Sequence, residues 1–199
     1  MISVPEKYGL SMSGSKIRMQ ESMLAVEMYN EICDWDEVRR RIVDENLFQL
    51  NAVSSRKRVT SEVVKRLRTL TDGELEFLQG SYGDDRCAML WVAVCRTYQF
   101  VRDLSEQMIA GRYNRTVPDF TMEAYDAFFE EQAEIHPELN ALSDEGKKKM
   151  RNQVFLMLAE CRLLSEDGRI TPLHPTPMFK NALDPSRKED LRLFPGRLM

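Results

Sequence analysis

Histidine is almost absent from this chain: His136 and His174 are the whole supply, and each stands beside a proline, far from any cysteine at metal-ligand spacing. Neither a zinc site nor histidine-based acid-base catalysis has a constellation to start from. P-loop, dinucleotide-fingerprint, nucleophile-elbow and zincin patterns are all missing. The four cysteines, Cys33, Cys87, Cys95 and Cys161, follow no disulfide framework. On one helix Cys87 and Cys95 would be about 12 Å apart, beyond the reach of a disulfide, which favours a reducing compartment. The first twenty residues hold no basic segment followed by an apolar one, so nothing directs the chain to export. No apolar run reaches the roughly 20 residues of a membrane span. These absences predict a cytoplasmic, non-enzymatic protein with no metal, no cofactor and no membrane partner.

What is present is a globular composition, with 43% hydrophobic and 30% charged residues in 199. The chain is organised around the stretch from Asp84 to Ala110. Within it, Cys87-Ala88-Met89-Leu90-Trp91-Val92-Ala93-Val94-Cys95 has no charged or hydroxyl side chain. Cys87, Leu90, Trp91, Val94, Tyr98, Val101 and Met108 recur at three-and-four spacing, which predicts a helix. Met89, Val92 and Ala93 make the opposite side apolar too, so other elements should surround it.

Around that helix the periodicity predicts an all-α fold, a compact multi-helix bundle in two lobes. A loose lead-in covers 1–15. An N-terminal helical lobe covers 16–80, a second lobe covers 84–177, and 178–199 reads as a tail rich in charge and proline. A first helix from Lys16 to Ile32 would turn Ile17, Met23, Leu24, Met28 and Ile32 inward. Asp34 caps a second, running to about Glu45, with Glu37 three residues on. Its Arg39-Arg40-Arg41 triplet is discounted as a contact surface, because Asp36 to Arg40 and Glu37 to Arg41 are four-residue ion pairs. Ser54 or Ser55 would cap the third helix. Thr71, Thr121 and Ser143 are further caps, and His136-Pro137 ends a helix. Asp167-Gly168 marks a turn, either in a small two-stranded wing or in an ordered strap.

Charge is distributed unevenly. Between Ser54 and Leu70 six basic residues face the single acid Glu62, whereas Asp119 to Glu145 holds nine acids and no Lys or Arg. One side of the molecule would suit a polyanion and the other repel it, unless the two segments neutralise each other across the fold. Val59, Val63, Leu67 and Leu70 form one stripe of the third helix, and Lys57, Arg58, Ser61, Lys65 and Arg68 cluster opposite. A helix with a dry back and a cationic front is what a helix-turn-helix requires, though the connection before it is longer than usual. The candidate nucleic-acid-binding set is Lys57, Arg58, Ser61, Lys65 and Arg68, with Arg56 and Arg66 beside them. Lys147, Lys148, Lys149 and Arg151 form a second cluster, and Arg112 and Arg115 lie in the loop after the central helix. Folded, these cations are expected to gather into one continuous positive channel.

Several segments, in order, carry a family resemblance. They are Glu45-Asn46-Leu47-Phe48-Gln49, Lys65-Arg66-Leu67, Leu90 through Tyr98 with Phe100-Val101-Arg102-Asp103, Tyr125-Asp126-Ala127-Phe128-Phe129, His136-Pro137-Glu138-Leu139 and Ile170-Thr171-Pro172. Over roughly Ser15 to Phe179 the chain resembles the BrxA family, the small helical component of BREX phage-exclusion systems. The resemblance implies a NusB-like helical architecture, double-stranded DNA binding, and service in a defence system with a methyltransferase, a phosphatase-like protein and an ATPase. It supplies no catalytic residues. The expected function is thus backbone-directed binding of double-stranded DNA in phage defence. The alternatives are an assembly adaptor using the acidic 119–145 face, and a transcriptional regulator of its own operon.

Overall fold

The structure, a computed structural model, describes residues 8–10 and 16–196. The expected lead-in therefore lies outside the described residues except at 8–10, where Tyr8 is buried. The elements are helices α1 (Met19–Ile32), α2 (Trp35–Asp44), α3 (Val53–Leu67), α4 (Asp72–Gly80), α5 (Gly83–Thr97), α6 (Gln99–Leu104), α7 (Gly111–Asn114), α8 (Met122–Ile135), α9 (Asp144–Glu160) and α10 (Pro177–Ala182). A π-helical turn, Ser105–Ala110, joins α6 to α7, and 3-10 turns occupy Pro137–Leu139 and Pro185–Leu193. The all-α expectation holds. Among the described residues the 163–177 segment holds two isolated antiparallel bridges, Asp119 to Arg169 and Leu164 to Ile170, and no strand pair. The expected wing is therefore a turn, closed where the Ser165 N–H donates to the Arg169 carbonyl at 2.9 Å.

Side-chain oxygens start the helices where the sequence predicts. Asp34 accepts from the N–H groups of Asp36 and Glu37, Thr121 from Ala124 and Ser143 from Gly146. Thr71 and Glu74 close a full capping box. Two starts differ. α1 begins at Met19 rather than Lys16, because Arg18 takes the left-handed conformation (φ 60°, ψ 49°), while the Ile17 N–H before it donates to the Glu160 carboxylate at 2.6 Å. Its innermost residues are Ser22, Ala25 and Val26, with Met23, Leu24, Met28 and Ile32 only half-buried. α3 is capped by neither serine. It starts at Val53, and Ala52, with no side-chain oxygen, stands at the cap.

α5 is the axis of the bundle, with Cys87 through Cys95 all buried. α3, α4, α6, α10 and the Pro185–Leu193 turn pack around it. The Trp91 indole N–H donates to Ser105 Oγ at 2.9 Å, and that hydroxyl donates to the Leu193 carbonyl at 2.8 Å. The expected helix from 84 to 110 is interrupted. Tyr98 is extended (φ −126°, ψ 99°), which buries its ring and lets its hydroxyl reach Glu62. The Phe100 ring then meets Tyr125, Phe128 and Phe129 of α8, and α8 and α9 meet where Tyr125 touches Phe155. The buried side chains form one cluster from Tyr8 to Phe194.

The supposed tail is part of that cluster: Phe179, Leu183, Leu193 and Phe194 are buried, and only 197–199 lie outside the described residues. Asp190, 1% exposed, bonds Arg96 at 2.8 Å and Arg102 at 2.6 Å. Arg96 also holds Glu74 at 2.7 Å. Burial pushes the Glu74 carboxyl up, but hydrogen bonds from Arg96 and from the Asp184 and Thr71 N–H groups outweigh it, so the group sits below its ordinary value.

Candidate nucleic-acid interface

α3 owes its orientation to its apolar stripe. Val59, Val63, Leu67 and the following Leu70 are buried, each worth about 1.5–3 kcal/mol. That burial fixes the opposite face in solvent, where Lys57, Arg58, Ser61, Lys65 and Arg68 are exposed. Lys65 lays its ammonium 4.6 Å from the centre of the Tyr98 ring, a cation-π contact that holds the stem against the bundle. Arg68 reaches across to Asp36 of α2 at 2.7 Å.

Two neighbours expected on this face are turned elsewhere. Arg66, 3% exposed, bonds Glu62 at 2.9 Å and donates to the Lys16 carbonyl at 2.7 Å. It ties α3 to the start of α1 and is withdrawn from the surface. The sequence held the signal, since the one acid in the basic stretch lies four residues before it. Arg56 donates to the Leu50 and Asn51 carbonyls and holds the loop entering α3.

α2 runs beside α3. Of the two pairs the spacing predicts, Glu37 with Arg41 forms and Asp36 with Arg40 does not. Arg40 bonds Glu37 and Asp44, Arg41 bonds Glu37, and Asp36 is taken by Arg68. Hydrogen bonds from Arg40 and Arg41 hold the Glu37 carboxyl down at about 2. Arg39 is exposed and enters none of these pairs. With Arg40, Lys57 and Ser61 it lines a hollow between α2 and α3.

The second cluster has its acids at hand. Lys147 lies 3.7 Å from Glu130 and over the Phe129 ring, and Arg151 bonds Asp126, leaving Lys148 and Lys149 exposed. So α8 acids meet α9 bases, while α3 finds its acid on α2. Arg112 lies in α7 rather than in a loop and donates to the Asp119 carbonyl, and Arg115, just past that helix, donates to the carbonyl of Gly111. Of the cations expected to gather into one channel, Arg66 is buried against Glu62, and Arg56, Arg112 and Arg115 each donate to a backbone carbonyl.

Among the described residues no group of three His, Cys, Asp or Glu is placed to hold a metal, and no helix is long and apolar enough to cross a membrane. Cys87, Cys95 and Cys161 are buried, and burial pushes each thiol above its ordinary value. Fold and surface together define an all-α helical bundle that presents a cationic helix face.

The BrxA family profile matches residues 6–186, and the chain belongs to that family, a component of the BREX phage-defence systems. It is 23% identical over 147 residues to the BREX protein BrxA of Escherichia coli O9:H4 (strain HS), covering 74% of this chain and 69% of that protein. The fold is shared with the crystal structure of an uncharacterized protein from Magnetospirillum magneticum, with a TM-score of 0.77 at 17% identity over 94% of this chain and 98% of that one.

Proposed function

We propose that the protein binds double-stranded DNA within its BREX system, chiefly through the phosphate backbone, by the outer face of α3. One observation carries this: Lys57, Arg58, Ser61 and Lys65 stand exposed along one side of a helix whose other side is locked into the core. From Lys57 to Lys65 the helix rises about 12 Å, long enough to address successive phosphates. Cations at phosphates confer affinity with little choice of sequence. The helix pair α2–α3 is read as the helix-turn-helix-like part of a NusB-like bundle, and the other BREX proteins as its protein partners. Control of its own operon would need base contacts in addition.

The test is binding of a labelled duplex across a salt series. Arg58→Ala with Lys65→Ala is expected to lower the slope of log affinity against log salt by about 1.8, two phosphates' worth. An unchanged slope moves the interface to Lys148 and Lys149.

A second reading, an assembly adaptor, draws on α8. Met122 and Ile135 are exposed there among the exposed carboxylates of Glu123, Glu131 and Glu134. Partner recovery that survives nuclease and disappears when Glu131 and Glu134 are reversed to Lys would favour it.

A further inference from the structure

The hollow between α2 and α3 contains two acids and three cations, and the pairing among them is uneven. Asp44 is held by Arg40 at 3.1 Å, and Asp36 by Arg68 at 2.7 Å. Both negative charges are therefore taken up. Arg40 is shared between Asp44 and Glu37. What remains over the hollow is the guanidinium of Arg39 and the ammonium of Lys57, from different helices, with the Ser61 hydroxyl beside them. Neither cation has an ion pair among the described residues. Like charges around one hollow repel unless an anion lies between them. The two unesterified oxygens of a phosphodiester have lone pairs enough for all three donors, and a planar guanidinium suits a phosphoryl group.

We infer that this hollow seats one phosphate, a backbone phosphodiester of bound DNA, gripped by Arg39 and Lys57 with Ser61 donating a hydrogen bond. The inference rests on the DNA-binding reading above and adds to it a residue of α2 and a fixed point. A strand pinned between two helices has its register on α3 set, which a row of independent lysines would not do. Arg39 thereby becomes a contact residue, although its place in an arginine triplet rich in helix ion pairs argued against it.

Labelled duplex and a salt series test the seat with Arg39→Ala, Lys57→Ala, their double variant, and Arg41→Ala as the control bound to Glu37. Because both cations address one phosphate, each single variant is expected to weaken binding several-fold while leaving the slope nearly unchanged. The double variant should lower the slope by about 0.9, a single phosphate. All the altered side chains are exposed, so melts followed by circular dichroism should coincide. A double variant that lowers the slope by about twice that amount assigns the two cations to separate phosphates and overturns the shared seat. If Lys65→Ala lowers the slope and the Arg39 variants bind as wild type, the hollow is unused while the α3 reading stands. Wild-type protein that fails to bind duplex overturns both. The last arm titrates inorganic phosphate against chloride at equal ionic strength. Phosphate binding lost in the double variant, with duplex binding unaffected there, assigns the seat to a small free anion and overturns the nucleic-acid assignment.

Discussion

Arginine meets carboxylate in two settings in this molecule, and the two do different work. At the core, Arg96 and Arg102 converge on Asp190, with Glu74 completing the group, and Arg96, Asp190 and Glu74 are almost wholly out of water. At the surface, Arg68 bridges to Asp36 with side chains 45% and 78% exposed. The bond lengths are alike. What differs is the alternative open to each charge. A surface arginine can exchange its carboxylate for water or a phosphate at little cost, whereas a buried one that loses its partner is left charged in a medium that solvates it poorly. Arginine count alone therefore says little about polyanion binding, and burial decides which arginines are available.

The most severe way to test this contrast is Asp190→Ala. Two guanidinium groups would lose a buried partner, and the expected destabilisation is about 3–5 kcal/mol, or about 10 °C in Tm for a chain of this size, read by calorimetry. Asp36→Ala is the opposite case. Stability should change by less than about 1 kcal/mol, while duplex affinity rises and the salt slope steepens by about 0.9 as Arg68 becomes free to meet a phosphate. Equal destabilisation by the two substitutions would erase the distinction.

Local rules made much of the fold legible. Asp34, Thr71, Thr121 and Ser143 cap helices because a capping oxygen needs only the next few N–H groups. The apolar run at Cys87 to Cys95 is central because no face of it tolerates water. Non-local partners hid the rest. Nothing near Tyr98 in sequence ends a helix; the break serves a hydroxyl contact to Glu62, 36 positions away. The 178–199 segment looks like a tail by composition, and only the arginines it neutralises reveal otherwise. In the candidate site the amphipathic wheel placed Lys57, Ser61 and Lys65 outward. It could not foresee that Asp36 would leave Arg40 for Arg68, and so it missed that Arg39 is the member of its triplet with no acid.

The bond from Arg96 to Asp190 spans 94 positions of chain. During synthesis Arg96 must therefore leave the ribosome long before its counterion exists, with only Glu74 made earlier. The helices can gather, but their centre stays short of negative charge until the final strap arrives and docks. A nascent chain stalled within that interval is a natural client for chaperones, and maturation of the whole bundle is timed by residues far from its basic face.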